Sequence, residues 1–189
     1  MTMTTLDISS LTFSPLFCTA KGAKQLPSLF KDGTAVAWQS NDFCDVPFEP
    51  SAFGDPEANR VTICVTPSET LCSQIEELDA WCIATLTATP SLLGIAVTGH
   101  QVKDRYASSL KVTEKWTTLR LKMNRSGRYA MQCYDAEKVK RAHPSTWRGC
   151  SIRPRLVFRG LWVKGIDFGS ILELAHAVVR EEGVTECPF

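Results

Sequence analysis

Ser151-Ile152-Arg153-Pro154-Arg155-Leu156-Val157-Phe158-Arg159-Gly160-Leu161-Trp162-Val163-Lys164 is the stretch on which the fold turns. Ile152, Leu156 and Phe158 alternate with Arg153, Arg155 and Arg159, the period of two by which a strand buries one face and wets the other. Gly160 is the place for a bulge or bend. Leu161 to Lys164 then lead through a turn around Gly165 to a last apolar strand over 169–179. A β-rich chain with a cationic sheet surface follows from this segment.

The pattern extends upstream. Thr117, Leu119, Leu121 and Met123 fall on one face, and Trp116, Thr118, Arg120 and Lys122 on the other. Asn124-Arg125-Ser126-Gly127 has turn chemistry, and Tyr129, Met131 and Cys133 then alternate with Arg128, Ala130, Gln132 and Tyr134, so a hairpin is expected. Val61, Ile63 and Val65 form a strand that runs into a helix over 67–88. Thr66 is its expected N-cap, with Pro67 in the first turn and Glu69 closing a capping box. Leu71, Ile75, Leu78 and Cys82 make its core-facing stripe, with Trp81 beside them, and Pro90 ends it. Residues 11–18 and 34–39 read as strands joined by a Lys/Gly/Pro-bearing connection, 41–59 and 135–148 as loop, and 98–115 as a loop with at most a short helical turn. The picture is mainly β (α+β): a small barrel or sheet with one prominent helix, one domain over 1–180 and a short acidic tail over 181–189.

The formal net charge of +1 conceals a sharp segregation. Residues 1–100 carry −7, residues 101–164 carry +12, and residues 165–189 carry −4. A basic, Arg-rich block punctuated by aromatics is the electrostatic footprint of a polyanion-binding surface, and a solvated basic face is its plain alternative. By alternation Trp116, Arg120, Lys122, Arg128, Tyr134, Arg153, Arg155 and Arg159 lie opposite the apolar set. Cations neutralise phosphates, and exposed rings stack unpaired bases at roughly 1–3 kcal/mol per base, a combination suited to single strands. The helix 67–88 holds no Lys or Arg, which argues against readout by a helix in the major groove. Trp38, Trp81 and Trp147 are assigned to structure, whereas Tyr106 is expected in an exposed loop.

Eight cysteines contain no Cys-x-x-Cys pair, and Cys64, Cys72, Cys82 and Cys133 fit as small buried hydrophobes in a reducing compartment. Neither a metal site, a Walker A loop, a dinucleotide fingerprint nor a nucleophile elbow is present, and His100, His143 and His176 are scattered, so no cofactor and no enzyme activity are expected. The N-terminus lacks a signal-peptide pattern and no apolar run approaches the roughly 18 residues of a membrane span. An intracellular protein, neither secreted nor membrane-bound, is expected.

The stretch Trp147 to Val163, followed by Asp167-Phe168-Gly169 and an apolar strand, resembles the closing half of viral and phage replicative single-stranded DNA-binding proteins of the OB-fold type. In those proteins a basic strand leads through a glycine and an aromatic to a phenylalanine-glycine turn and the last barrel strand. Residues 100–179 share the resemblance loosely, with Tyr106 to Lys111 and Trp116 to Met123 in similar roles. The long helix departs from the general OB pattern. The resemblance implies an OB-fold-like β-barrel binding single-stranded DNA without sequence specificity in replication, recombination or repair, and the helix read from its own stripe and cap makes the expected fold such a barrel with one prominent inserted α-helix.

Expected nucleic-acid contacts are Lys103, Arg105, Tyr106 and Lys111 from the loop region, and Trp116, Arg120, Lys122, Arg125, Arg128 and Tyr134 from the middle strands. Arg153, Arg155, Arg159 and Trp162 complete the set. Pro188-Phe189 is similar to the tail by which such proteins recruit replication partners, which makes Glu186, Pro188 and Phe189 the expected partner contacts. Single-stranded RNA, or an acidic protein partner docked on the basic face, are the alternatives, and a homo-oligomer is left open.

Overall fold

The computed structural model describes residues 6–20, 22–52, 55 and 57–181. In chain order, β1 (Leu11–Phe13), β2 (Phe17–Cys18), β3 (Lys24–Leu26), β4 (Ser28–Phe30), β5 (Val36–Gln39), β6 (Cys44–Asp45) and β7 (Arg60–Val65) precede helix α1 (Glu69–Ala88). After α1 come the short α2 (Val102–Arg105), β8 (Tyr106–Ala107), β9 (Leu110–Val112), β10 (Thr117–Asn124), β11 (Gln132–Tyr134), β12 (Lys140–Arg141), β13 (Cys150–Lys164) and β14 (Asp167–Glu181). The chain is mainly β, as its alternation required.

The β13–β14 ribbon is the spine. Its strands run antiparallel from Lys164 opposite Asp167 to Cys150 opposite Glu181, joined by a turn in which Gly165 has φ 62°. The free edge of β13 takes β3, β5 and β6, all antiparallel; the free edge of β14 takes β8, β10 and β11, all parallel. Register shifts at Arg155/Leu156 and between Phe158 and Leu161 bend the ribbon, and the sheet curls around the core in an OB-like fold. Gly160 sits in the second irregularity at φ 100°, where a Cβ would stand 2.0 Å from the Leu26 carbonyl oxygen. The bulge expected there exists because β3 crosses too closely for any side chain.

Helix α1 starts later than expected. Thr66 still belongs to the sheet, its N–H donating to the Asp45 carbonyl at 2.8 Å, so Ser68 is the N-cap and its hydroxyl accepts from the Leu71 N–H at 3.2 Å. The apolar stripe holds: Leu71, Ile75, Leu78, Cys82 and Leu86 are buried in the one core cluster. Trp38 is buried with its indole N–H on Gln74, Trp81 stacks on Phe13 at 4.8 Å, and Trp147 lies at the core edge against His143.

Several local expectations are corrected. The connection between the early strands contains β3 and β4, and the segment 11–18 is split by Pro15 into β1 and β2. The 116–134 hairpin does not form. Arg125 and Ser126 donate backbone N–H groups to Asn59, which ties the turn to the segment before β7, and β11 pairs in parallel with β14 rather than with β10. Tyr129 is consequently exposed instead of joining Met131 and Cys133 in the core. Among the described cysteines all are free; Cys82 and Cys133 are buried, but Cys64 and Cys72 are only half-buried.

No helix of the described residues is long and apolar enough to cross a membrane. Strand β14 runs through Glu181, which pairs with Arg141. Glu186, Pro188 and Phe189 lie outside the described residues.

Candidate nucleic-acid interface

Strand alternation puts a single polar surface on the side of the sheet opposite the core. Leu119, Leu121 and Met123 of β10 and Ile152, Leu156 and Phe158 of β13 are buried inward, which turns Arg120, Lys122, Arg153, Arg155 and Arg159 outward. Within β14 the bulge leaves Ala175 unpaired: Leu174 faces Leu156 in the core, while His176 lies across from Arg155 on the polar side. Tyr134 of β11 is held alongside Val178, and Val178 opposite Arg153.

Two differently wired groups occupy this surface. At its centre Glu173, only 5% exposed, accepts from Arg159 Nη2 at 2.8 Å and Nε at 3.3 Å, and lies 3.7 Å from Arg60 Nη2. Lys122 is its cross-strand partner in β10, and donates to the Thr62 hydroxyl at 2.9 Å. Partial burial, then the neighbouring Arg60 and Arg120, hold the Lys122 ammonium below its ordinary pKa. The Arg159 charge is therefore already balanced by a carboxylate.

The second group is different in kind. Tyr134, Lys138, Arg153, Arg155 and His176 line a cavity of about 510 Å³, with Gln39 and Asn41 on its β5 side. Lining residues include no carboxylate, and neither Arg153 nor Arg155 forms an ion pair among the described residues. Arg153 Nε is buried without a hydrogen-bond partner there, and its guanidinium lies 5.6 Å from the Phe43 ring, which Arg180 covers at 3.8 Å. Tyr134 and His176 form a tilted ring pair 5.7 Å apart, and the Tyr134 hydroxyl donates to Gln132 at 2.7 Å. Burial first, then Arg155 and Lys140, keeps the His176 imidazole below its usual pKa, which favours its neutral form. Unpaired cations around a shared space repel one another, and an anion there relieves that repulsion.

The remaining expected contacts scatter around these groups. Lys111 is exposed on β9, and Trp116 precedes β10 at 61% exposure. Lys103 and Arg105 lie on α2, with Arg105 3.6 Å from Asp167. Arg125 donates to the Pro50 carbonyl at 3.4 Å, Arg128 stands 5.5 Å from the Tyr129 ring, and Trp162 is half-buried across from Gly169. Tyr106 is not the exposed loop residue expected: it opens β8, its ring packs on Phe168 and its hydroxyl donates to Asp79 on α1. Sequence reasoning missed His176, Lys138, Gln39, Phe43 and Arg60. Arg60 was available, because it extends the polar side of the Val61–Val65 alternation; the others depend on contacts across the fold.

No family model matches the chain, and no curated protein matches it. Among solved structures, the fold is similar to that of the single-stranded DNA-binding protein from bacteriophage Enc34 in complex with ssDNA, with a TM-score of 0.50 and 12% identity over 89% of this chain and 95% of that one. The single-stranded DNA-binding protein gp2.5 encoded by bacteriophage T7 aligns at a TM-score of 0.48 and 14% identity, over 79% of this chain and 96% of that one. The likeness to the Enc34 protein is one of fold, and it is the OB-like fold that residues 147–179 implied.

Proposed function

We propose that this protein binds single-stranded DNA with little sequence preference, inside the cell, in replication, recombination or repair. The observation that carries the reading is the cavity in which, among the described residues, Arg153 and Arg155 stand without an acidic partner beside the Tyr134–His176 rings on one sheet face. Cations for the backbone and rings for bases are the two terms that sequence-tolerant single-strand binding uses. The fold shared with the Enc34 protein, whose structure contains ssDNA, supports the same reading. This is a binding role, and no catalytic step is assigned to it. The segment with Glu186, Pro188 and Phe189 serves, on this proposal, to dock a replication protein through acidic and aromatic contacts.

Titration of oligo-dT, oligo-rU and duplex DNA over a range of salt, with the full chain and with a chain lacking 186–189, tests both parts. Oligo-dT should bind most tightly, with log affinity falling linearly against log salt. The shortened chain should keep that affinity and lose only partner recruitment. Equal or better binding of oligo-rU transfers the reading to RNA, and failure to bind either strand at low salt leaves an acidic protein as the partner of the basic face.

A further inference from the structure

The cavity has features that general backbone tracking does not need. Among the described residues its three cations, Lys138, Arg153 and Arg155, form no ion pair and no carboxylate lines the cavity, whereas Arg159, Arg105 and Arg141 elsewhere are paired with Glu173, Asp167 and Glu181. Lys138 has φ 66°, the left-handed region that favours glycine, in a turn closed by its N–H on the Asp135 carbonyl at 3.1 Å and by the Val139 N–H on Asp135 Oδ1 at 2.8 Å. A non-glycine residue is strained there, and glycine would relieve the strain. What lysine adds at that position is a cation on the cavity wall. About 510 Å³ falls within the roughly 300–1,000 Å³ range of small-molecule sites. The Tyr134 and His176 planes meet at 57°, so a flat ligand rests on one ring rather than between two.

We propose that this cavity is a subsite for one nucleotide of the bound strand, its phosphate held by Lys138, Arg153 and Arg155 and its base laid against the Tyr134–His176 pair. The assignment rests on the single-stranded DNA reading and narrows it to one place. His176 supplies a second ring surface, and the hydrogen bond to Gln132 holds Tyr134 in position before binding.

The test titrates the full chain with dTMP, thymidine and inorganic phosphate, following the His176 imidazole resonances by NMR, with oligo-dT binding measured on the same samples. Saturable movement by dTMP is expected, with thymidine and phosphate about ten-fold weaker because each supplies half of the contacts. Lys138→Gly should bind dTMP about three-fold more weakly while its thermal stability is unchanged or raised, which a merely structural lysine would not produce. An unmoved His176 signal, or a Lys138→Gly protein that binds dTMP like the original, overturns the subsite. If oligo-dT still binds in that case, the strand reading stands without the subsite. If dTMP binds and oligo-dT does not, the cavity is a mononucleotide site and the strand reading fails.

Discussion

Gly160 shows how one residue couples the two halves of the sheet. A Cβ there would lie 2.0 Å from the Leu26 oxygen and 2.7 Å from the Pro27 Cα, both backbone atoms that no side-chain rotation can move. Gly160→Ala should therefore destabilise the protein by about 3 kcal/mol, combining the left-handed backbone cost with displacement of β3. Urea unfolding measures this, and a loss under about 1 kcal/mol would mean that β3 shifts without consequence. His176 teaches the opposite lesson about legibility. Counting by twos from Leu172 and Leu174 places it in the core, and only the unpaired Ala175 reverses it onto the polar face. A bulge is invisible to periodicity unless a glycine marks it, as at Gly160.

At the scale of elements, α1 is fastened to the sheet by Asp79. Tyr106 of β8 and Ser108 just beyond it both donate hydroxyl hydrogen bonds to this carboxylate. Burial is the largest influence and raises the Asp79 pKa above its ordinary value, although the two hydrogen bonds oppose it. A raised folded pKa means that the folded protein binds the proton more tightly than the unfolded chain. The resulting stabilisation is complete below the unfolded value of about 3.9 and is lost as pH rises through the folded pKa. Asp79→Asn should remove this component, so the stability of the original protein relative to the variant should fall as pH rises from about 4 to 7. Thermal unfolding of both proteins across that range checks it, and a constant difference would show that no proton is linked to Asp79. The helix itself was legible from its stripe and acidic start. Its fastening was not, because Tyr106 and Asp79 are 27 residues apart.

For the molecule as a whole, the segregated charge resolves into a balanced centre and an unbalanced end. Arg159 sits beside buried Glu173, while Arg153 and Arg155, on the same strand, have no acidic partner among the described residues. Each phosphate contact on a single strand contributes roughly 0.7 to the slope of log affinity against log salt. Arg153→Ala together with Arg155→Ala should thus flatten the oligo-dT slope by about 1.4, and Arg159→Ala by much less than 0.7. Equal slope losses from all three arginines would mean that Glu173 gives up Arg159 when the strand binds.

The division between chain and fold follows from the range of the forces involved. Alternation along 117–123 and 151–164, the stripe of α1, the turn at Gly165 and the cationic block are properties of neighbouring residues, and these alone specify a β-rich chain with one helix and an arginine-bearing face. Strand partners are not local. Whether β11 returns to β10 or crosses to β14 depends on Asn59 capturing the 125–126 turn, and whether an arginine is free depends on a glutamate elsewhere in the sheet. Tertiary structure alone decided that Lys138, Tyr134 and His176 meet Arg153 and Arg155 around one cavity, because only closing the sheet brings those five side chains within reach of a common ligand.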